Sequence, residues 1–294
     1  MTIYILCGLI VLYLILVFFR TIRIKHQIEG FSQSIPFSQK ENSSLYDQFY
    51  VSIYDELVYD PNKVEHEADE IIRVTGINGQ SKILDVGSGP GHHVNEFQKR
   101  GFNINGLDDS LAMVKHAKKH YPNSHFKKGS ILNPYIYDSN TYSHILSLYF
   151  TVYYFKDKSK FFGICHRLLK PGGYLVIHLV DSKNFDPMIS LANPLLLVSP
   201  QSVAKQRITN SSIKFNNFQY KSNFTIQDGI GKFEEKFIDD KTKNIRKNVH
   251  TMFMDNQKSI IKAATDRGFK LEGTIDLVPI QYEYQYLYVL SKQN

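Results

Sequence analysis

The chain has 294 residues, 43% of them hydrophobic, and a formal charge of +7. That length suits one large domain or one domain with additions, and the apolar content is enough for a packed core. Lys and Arg are scattered as on a solvated surface, without the basic clusters among aromatics that a nucleic-acid face would show, so no nucleic-acid partner is expected. Two cysteines, Cys7 and Cys165, lie far apart and offer neither a disulfide framework nor a metal site, which suits a reducing compartment.

Residues Ile3 to Phe19 are almost wholly apolar and carry no charge. Their length is near the lower limit of a bilayer-spanning helix, roughly 17–25 residues. Arg20, Arg23, Lys25 and His26 follow at once. A cleaved signal peptide would have its positive charge before the apolar run and small residues after it, and neither is present. Positive charge on the C-terminal flank places that flank in the cytoplasm. Residues 1–26 are therefore expected to be a single-pass signal anchor with its basic flank, with the catalytic domain on the cytosolic side. Residues 27–44 are polar, contain Gly30 and Pro36, and read as a linker. The folded domain is expected over 45–294.

From Leu45 to Tyr59 aromatic residues recur near helical spacing until Pro61 breaks the pattern, and a second helical pattern runs from about Asn62 to Thr75. The strand Lys82–Val86 then enters a turn with Gly87, Gly89 and Gly91, and a helix from about His92 to Lys99 follows. Such a turn lets backbone N–H groups and a helix N-terminus approach a polar ligand. A second strand, Asn103 to Leu107, ends at Asp108 and Asp109, and Ser110 is placed to cap the next helix. A third strand, His125 to Lys128, ends at Gly129-Ser130-Ile131, and a fourth runs from Tyr142 to Tyr149. A helix from Lys158 to Leu169 leads through Lys170-Pro171-Gly172-Gly173 to a strand from Tyr174 to Val180. This alternation predicts an α/β, Rossmann-like doubly wound sheet. Asn256 to Arg267 reads as helix, and Phe269 to Leu277 and Tyr284 to Leu290 as strands. Residues 181–255 form an insertion. Its apolar start, Pro187 to Pro200, reads as a loop with a short helix. Strand-like runs at Ile213–Tyr220, Asn223–Ile226, Lys232–Ile238 and Asn244–Met254 predict a small antiparallel sheet above the carboxyl ends of the parallel strands.

Asp85-Val86-Gly87-Ser88-Gly89-Pro90-Gly91 resembles the first motif of class I methyltransferases that use S-adenosylmethionine. Gly106-Leu107-Asp108-Asp109-Ser110-Leu111-Ala112-Met113 resembles the family's G-x-D-x-S-x-x-M pattern, and Leu169-Lys170-Pro171-Gly172-Gly173 its turn before the fifth strand. The resemblance implies a seven-stranded sheet and S-adenosylmethionine as cofactor. It implies that Gly87, Ser88, Gly89 and Gly91 make room for the cofactor's amino-acid end and that Asp85 lies near its ammonium group. Asp108 would bind the ribose hydroxyls and Met113 would lie by the adenine. Ser130 stands where the family carries an acid for the adenine amino group, with Ile131 beside it, and Leu148 belongs to the same site. Asp109 is assigned there too, or is a helix N-terminal charge favoured by the dipole. Tyr54-Asp55-Glu56-Leu57-Val58-Tyr59 looks like the family's Tyr-Asp-x-x-Tyr lid with one residue inserted, which gives Tyr54 to the cofactor, or is an amphipathic helix packed on the domain. The insertion is similar to that of sugar-amine N,N-dimethyltransferases, whose last inserted strand holds a histidine as Asn248-Val249-His250-Thr251-Met252-Phe253 does.

An amine or hydroxyl acceptor must lose a proton, and a histidine suits that task. His178 and His250 are the candidate bases, or else structural or pocket-lining residues. His92 is placed to touch the cofactor, His93 reads as helix surface, and Tyr50 and Tyr153 are further pocket candidates. The expectation is a membrane-anchored methyltransferase for a small molecule, an amino sugar being the first acceptor class. A lipid or protein acceptor, or a cofactor-binding scaffold without activity, are the alternatives. The oligomeric state is left open, a dimer included.

Overall fold

The computed structural model describes residues 36–187 and 206–293. The expected anchor, most of the linker and the run 188–200 lie outside the described residues. Among the described residues no helix is long and apolar enough to cross a membrane.

The described residues open with β1 (Phe37–Glu41), helix α1 (Gln48–Leu57) and helix α2 (Pro61–Thr75). Asp47 caps α1 by accepting from the Tyr50 N–H. Asp60 caps α2, whose first residue is Pro61, and Gly76 closes it in the left-handed region at φ 66°. Pro61 thus opens the second helix, a position where its missing N–H costs nothing.

The Rossmann-like unit follows: β2 (Lys82–Val86), α3 (His92–Lys99), β3 (Asn103–Asp108), α4 (Leu111–His120), β4 (His125–Lys128), β5 (Tyr142–Ser147), α5 (Lys158–Leu168) and β6 (Leu169–Val180). After the insertion come α6 (Gln257–Thr265), β11 (Phe269–Asp276) and β12 (Gln285–Lys292). The seven strands stand in the order β11-β12-β6-β5-β2-β3-β4. β12 is antiparallel to both of its neighbours and the rest of the pairings are parallel. Its two faces are covered by separate apolar layers, one with Phe161, Phe162 and Leu168 of α5, the other with Ile71 of α2 and Phe97 of α3. The Lys170-Pro171-Gly172-Gly173 turn lies inside β6 as an irregularity opposite Tyr142–His144. A Cβ on Gly173 would come within 2.8 Å of the Ser143 carbonyl oxygen, which is why glycine stands there.

The insertion forms the expected second sheet, with two corrections. Its strands are β7 (Asn210–Lys214), β8 (Phe218–Gln227), β9 (Ile230–Asp239) and β10 (Ile245–Phe253), in the order β1-β10-β9-β8-β7. The run 213–220 is two strands joined by a turn, because Phe215 and Phe218 stack across it with ring centroids 4.7 Å apart. The last part of the expected linker is strand β1, which pairs in parallel with β10 from Phe37–Ile245 to Glu41–Val249. The sheet is therefore mixed and, among the described residues, five strands wide.

Helix α1 packs against this upper sheet through Phe49, Tyr50, Ile53, Phe218, Tyr220 and Phe237. Arg246 fastens the joint: it donates to the Asp47 carboxylate at 2.9 Å and to the Leu45 carbonyl at 3.0 Å, and covers the Phe49 ring. Phe237 is fully buried and meets the rings of Phe49 and Tyr220, each at 5.2 Å. Phe237→Ala is expected to lower stability by about 3–5 kcal/mol, the usual cost of deleting a buried aromatic. Urea unfolding of the two proteins measures this.

Candidate functional site

The carboxyl ends of β2, β3, β4 and β5 converge where α1 and the upper sheet cover them. A cavity of about 640 Å³ opens there. Its lower wall includes Gly87, Gly89, Asp108, Asp109, Met113, Ser130 and Ile131, and its upper wall Tyr46, Tyr50, Tyr54, Tyr154 and His250. A smaller chamber of about 60 Å³ adjoins it at the glycine turn, lined by Lys63, Asp85, Ser88, His92, His93 and Leu148, with Tyr54, Gly87 and Gly89 shared. Gly91 lines neither; its φ of 92° starts α3, and a Cβ on it would meet the Phe126 ring at 2.6 Å.

Asp108 ties the two halves of the lower wall. One carboxylate oxygen accepts the Gly89 N–H and the other the Ser110 N–H, both at 2.8 Å. Each oxygen keeps lone-pair capacity. Burial raises the Asp108 pKa, against those two backbone hydrogen bonds. Ser110 caps α4 by accepting from the Met113 N–H. Asp109 is exposed and pairs with Lys128 at 3.4 Å. Ser130 is engaged by the Leu132 N–H at 3.2 Å. The Ser88 hydroxyl is buried with no hydrogen-bond partner among the described residues.

Asp85 is buried, and burial pushes its carboxyl up to about 6, against the pull of His93. Behind it, His93 is not helix surface. Its Nε2 meets Glu67 at 2.8 Å, and Lys63 lies 3.6 Å from the same carboxyl group. Burial would raise Glu67, yet Lys63 and His93 hold it down to about 2. His92 lines the small chamber, held between Asp55 at 2.7 Å and the Tyr121 hydroxyl at 2.8 Å and stacked on Tyr59.

The two candidate bases part company. His178 is fully buried and lines neither space. Its Nδ1 meets the Tyr149 carbonyl at 2.6 Å and its Nε2 the Gln285 side chain at 3.1 Å. Burial lowers its pKa to about 3. It lies at the end of β6, but β12 runs beside it and seals it into the sheet, so it is a structural residue. His250, by contrast, lines the cavity. Its Nδ1 is 2.7 Å from the Tyr154 hydroxyl and its Nε2 2.9 Å from Glu235. The Tyr154 hydroxyl also meets that of Tyr46 at 2.9 Å. Tyr153 is fully buried and its hydroxyl receives the Val180 N–H, so the adjacent Tyr154 is the cavity residue.

Sequence reasoning missed Tyr46, Tyr154 and Glu235. Glu235 is fully buried and accepts from Tyr50 at 3.2 Å, Tyr220 at 3.1 Å and Asn248 at 3.2 Å besides His250. Among the described residues no group of three or more His, Cys, Asp or Glu side chains could hold a metal ion.

Asp85 generates a pH prediction. Its folded pKa is raised, so its neutral form stabilises the fold below its ordinary value of 3.8, and that contribution is lost as pH rises through about 6. Asp85→Asn removes this loss. Relative to the parent, the variant should gain roughly 2–3 kcal/mol between about pH 4 and about pH 7. Denaturant unfolding at the two pH values tests it; a constant difference would refute the buried-acid assignment.

Comparison with known proteins agrees with the geometry. Residues 84–177 match a methyltransferase-domain family. The demethylmenaquinone methyltransferase of Chlorobaculum parvum is 34% identical over 118 residues, which are 40% of this chain and 45% of that protein. The chain thus spans less than half the length of that curated relative. Among solved structures, an S-adenosylmethionine-dependent methyltransferase from Clostridium acetobutylicum superposes with a TM-score of 0.64 at 14% identity, covering 83% of this chain and 98% of that one. CalS10, an amino pentose methyltransferase from Micromonospora echinaspora solved with S-adenosylmethionine bound, gives 0.59 at 19% identity over 84% and 97% of the two chains. Residues 84–177 are thus similar to a methyltransferase domain, and the chain has the α/β fold of those solved S-adenosylmethionine-dependent methyltransferases.

Proposed function

We propose that the chain transfers a methyl group from S-adenosylmethionine to a small-molecule acceptor. The observation that carries this reading is the continuous wall from Asp85 through Gly89 and Asp108 into a cavity roofed by Tyr154 and His250. When bound, the cofactor supplies a methyl group on a positively charged sulfur. The residues present fit it. Among the described residues, Asp85 is a buried acid with no direct hydrogen-bonded cation, beside a buried serine hydroxyl that has no partner. Asp108 is fixed by two backbone N–H groups and can accept from a diol. Met113 and Ile131 supply an apolar slot further along the same wall. Exclusion of water and alignment of the acceptor fall to α1 and the upper sheet; such alignment is worth up to roughly 7–11 kcal/mol in favourable systems.

Similarity alone would make an amino sugar the first acceptor class, since CalS10 is described as an amino pentose methyltransferase; the lining of this cavity favours another. His250 takes the role of base in this reading. Placement at the cytosolic face of a membrane rests on the apolar run Ile3–Phe19 and its basic flank; membrane fractionation of cells expressing the full chain with and without residues 1–26 tests it.

Turnover of candidate small molecules with labelled cofactor tests the activity. Cofactor binding with no turnover on any acceptor or extract would favour a scaffold instead. Asp108→Ala removes a charged acceptor and the anchor of the Gly89 N–H, and should weaken cofactor binding by tenfold or more, from about 1.5–3 kcal/mol per charged hydrogen bond. Calorimetry checks this, and unchanged affinity sinks the ribose assignment. A cationic ligand group favours ionised Asp85, so cofactor affinity should fall as pH drops below about 6. In Asp85→Asn that pH dependence should flatten.

A further inference from the structure

Resting on the methyl-transfer reading, we infer that the acceptor is an apolar molecule without negative charge whose reacting group is a hydroxyl on an aromatic ring. The cavity wall away from the glycine turn is built of Phe150, Phe155, Phe185, Phe224, Phe233 and Met252. No Lys or Arg lines the cavity among the described residues. Its charged lining consists of carboxylates, Asp108, Asp109 and Asp186. A phosphate-bearing acceptor, such as a nucleotide-linked sugar, would meet carboxylates and, among the described residues, no lining cation, since Arg207, set against the Phe185 and Phe224 rings, donates to the Ser182 and Phe185 carbonyls; that costs affinity. Flat apolar walls instead suit an aromatic ring, through offset or edge contacts.

The polar end of the cavity is matched to a hydroxyl. The Glu235 carboxylate can only accept, so the His250 Nε2 carries its proton toward it and the Nδ1 lone pair faces the Tyr154 hydroxyl. Glu235 is already filled by four donors, lies outside the cavity lining, and offers nothing to an ammonium group. An acceptor hydroxyl beside Tyr154 passes its proton to the Tyr154 oxygen, while the Tyr154 proton moves to His250 Nδ1. The new bond joins the acceptor oxygen to the methyl carbon of the sulfonium donor. The carbon–sulfur bond breaks and its electron pair stays on sulfur. The products are a neutral ether, a neutral thioether and an imidazolium held between Tyr154 and Glu235. A phenol, with a pKa near 10, gives up its proton to such a relay far more readily than an alcohol.

The test uses the full chain, labelled S-adenosylmethionine and a series of 4-alkylphenols of increasing chain length, against a free amino sugar and a nucleoside-diphosphate-linked amino sugar. The expected result is ether formation with kcat/KM rising by up to about fourfold per methylene, the value of a buried CH₂, and little or no transfer to either sugar. A flat series, no transfer to any phenol while calorimetry shows the cofactor bound, or better turnover of either sugar would each overturn the inference and leave the methyltransferase reading standing. Failure to bind the cofactor would strike that reading itself. For the relay, Tyr154→Phe should cut transfer to a phenol by roughly 10²–10⁴, the range of positioned proton transfer. A thiophenol, which ionises unaided near neutral pH, should suffer much less. Equal losses on phenol and thiophenol would show that Tyr154 acts only in packing and would remove the relay.

Discussion

A single buried carboxylate holds the upper half of this molecule together. Glu235 has no exposure to water and takes hydrogen bonds from Tyr50, Tyr220, Asn248 and His250. A bare charge there would be very costly, and four converging donors offset that cost. The donors come from different elements: Tyr50 from α1, Tyr220 from β8, Asn248 and His250 from β10. Satisfying one charge thus fixes how the helix that covers the cavity sits on the sheet that roofs it. It also sets which ring nitrogen of His250 holds a proton. Structure and chemistry depend on the same contact.

The lower half follows a different logic. Its geometry comes from backbone, at the positive-φ glycines 87, 89 and 91, and from Asp108 reaching back to the Gly89 N–H. In that wall the Asp108 and Ser130 side chains are held by main-chain N–H groups. The roof is held by side chains and rings. The division suits a site in which one half takes a fixed ligand and the other is adapted to a particular acceptor.

Much of the lower half was legible in the sequence. The bounds of β2, α3 and β4 follow from the apolar run, the glycine turn and the charge pattern. The rest was hidden for physical reasons. β1 is five largely polar residues at a sheet edge, half exposed in alternation, so it resembles linker. His178 has the position expected of a functional residue, but an antiparallel neighbour from about a hundred residues later covers it. Tyr153 and Tyr154 lie in a single short 3₁₀ turn, where adjacent side chains diverge and sequence does not say which one faces the ligand. Glu235 hides in Glu234-Glu235-Lys236, which reads as a solvated face. A signal was nonetheless present: the two-residue period of a strand puts Glu235 on the same face as Phe233 and Phe237. A carboxylate between two phenylalanines on one face demands partners.

The parallel pairing of β1 with β10 bears on how the chain assembles. Phe37 finds its partner at Ile245, and Arg246 reaches back 199 residues to Asp47. Contacts of such sequence separation carry a large loop-closure cost and form late. During synthesis the parallel strands β2 to β6 emerge and can pair while β1 and α1 still wait for β10. The glycine turn and Asp108 are thus made before the roof that completes the cavity. The first described residues are among the last to find their partners, and the cavity is complete only once β10 has been made.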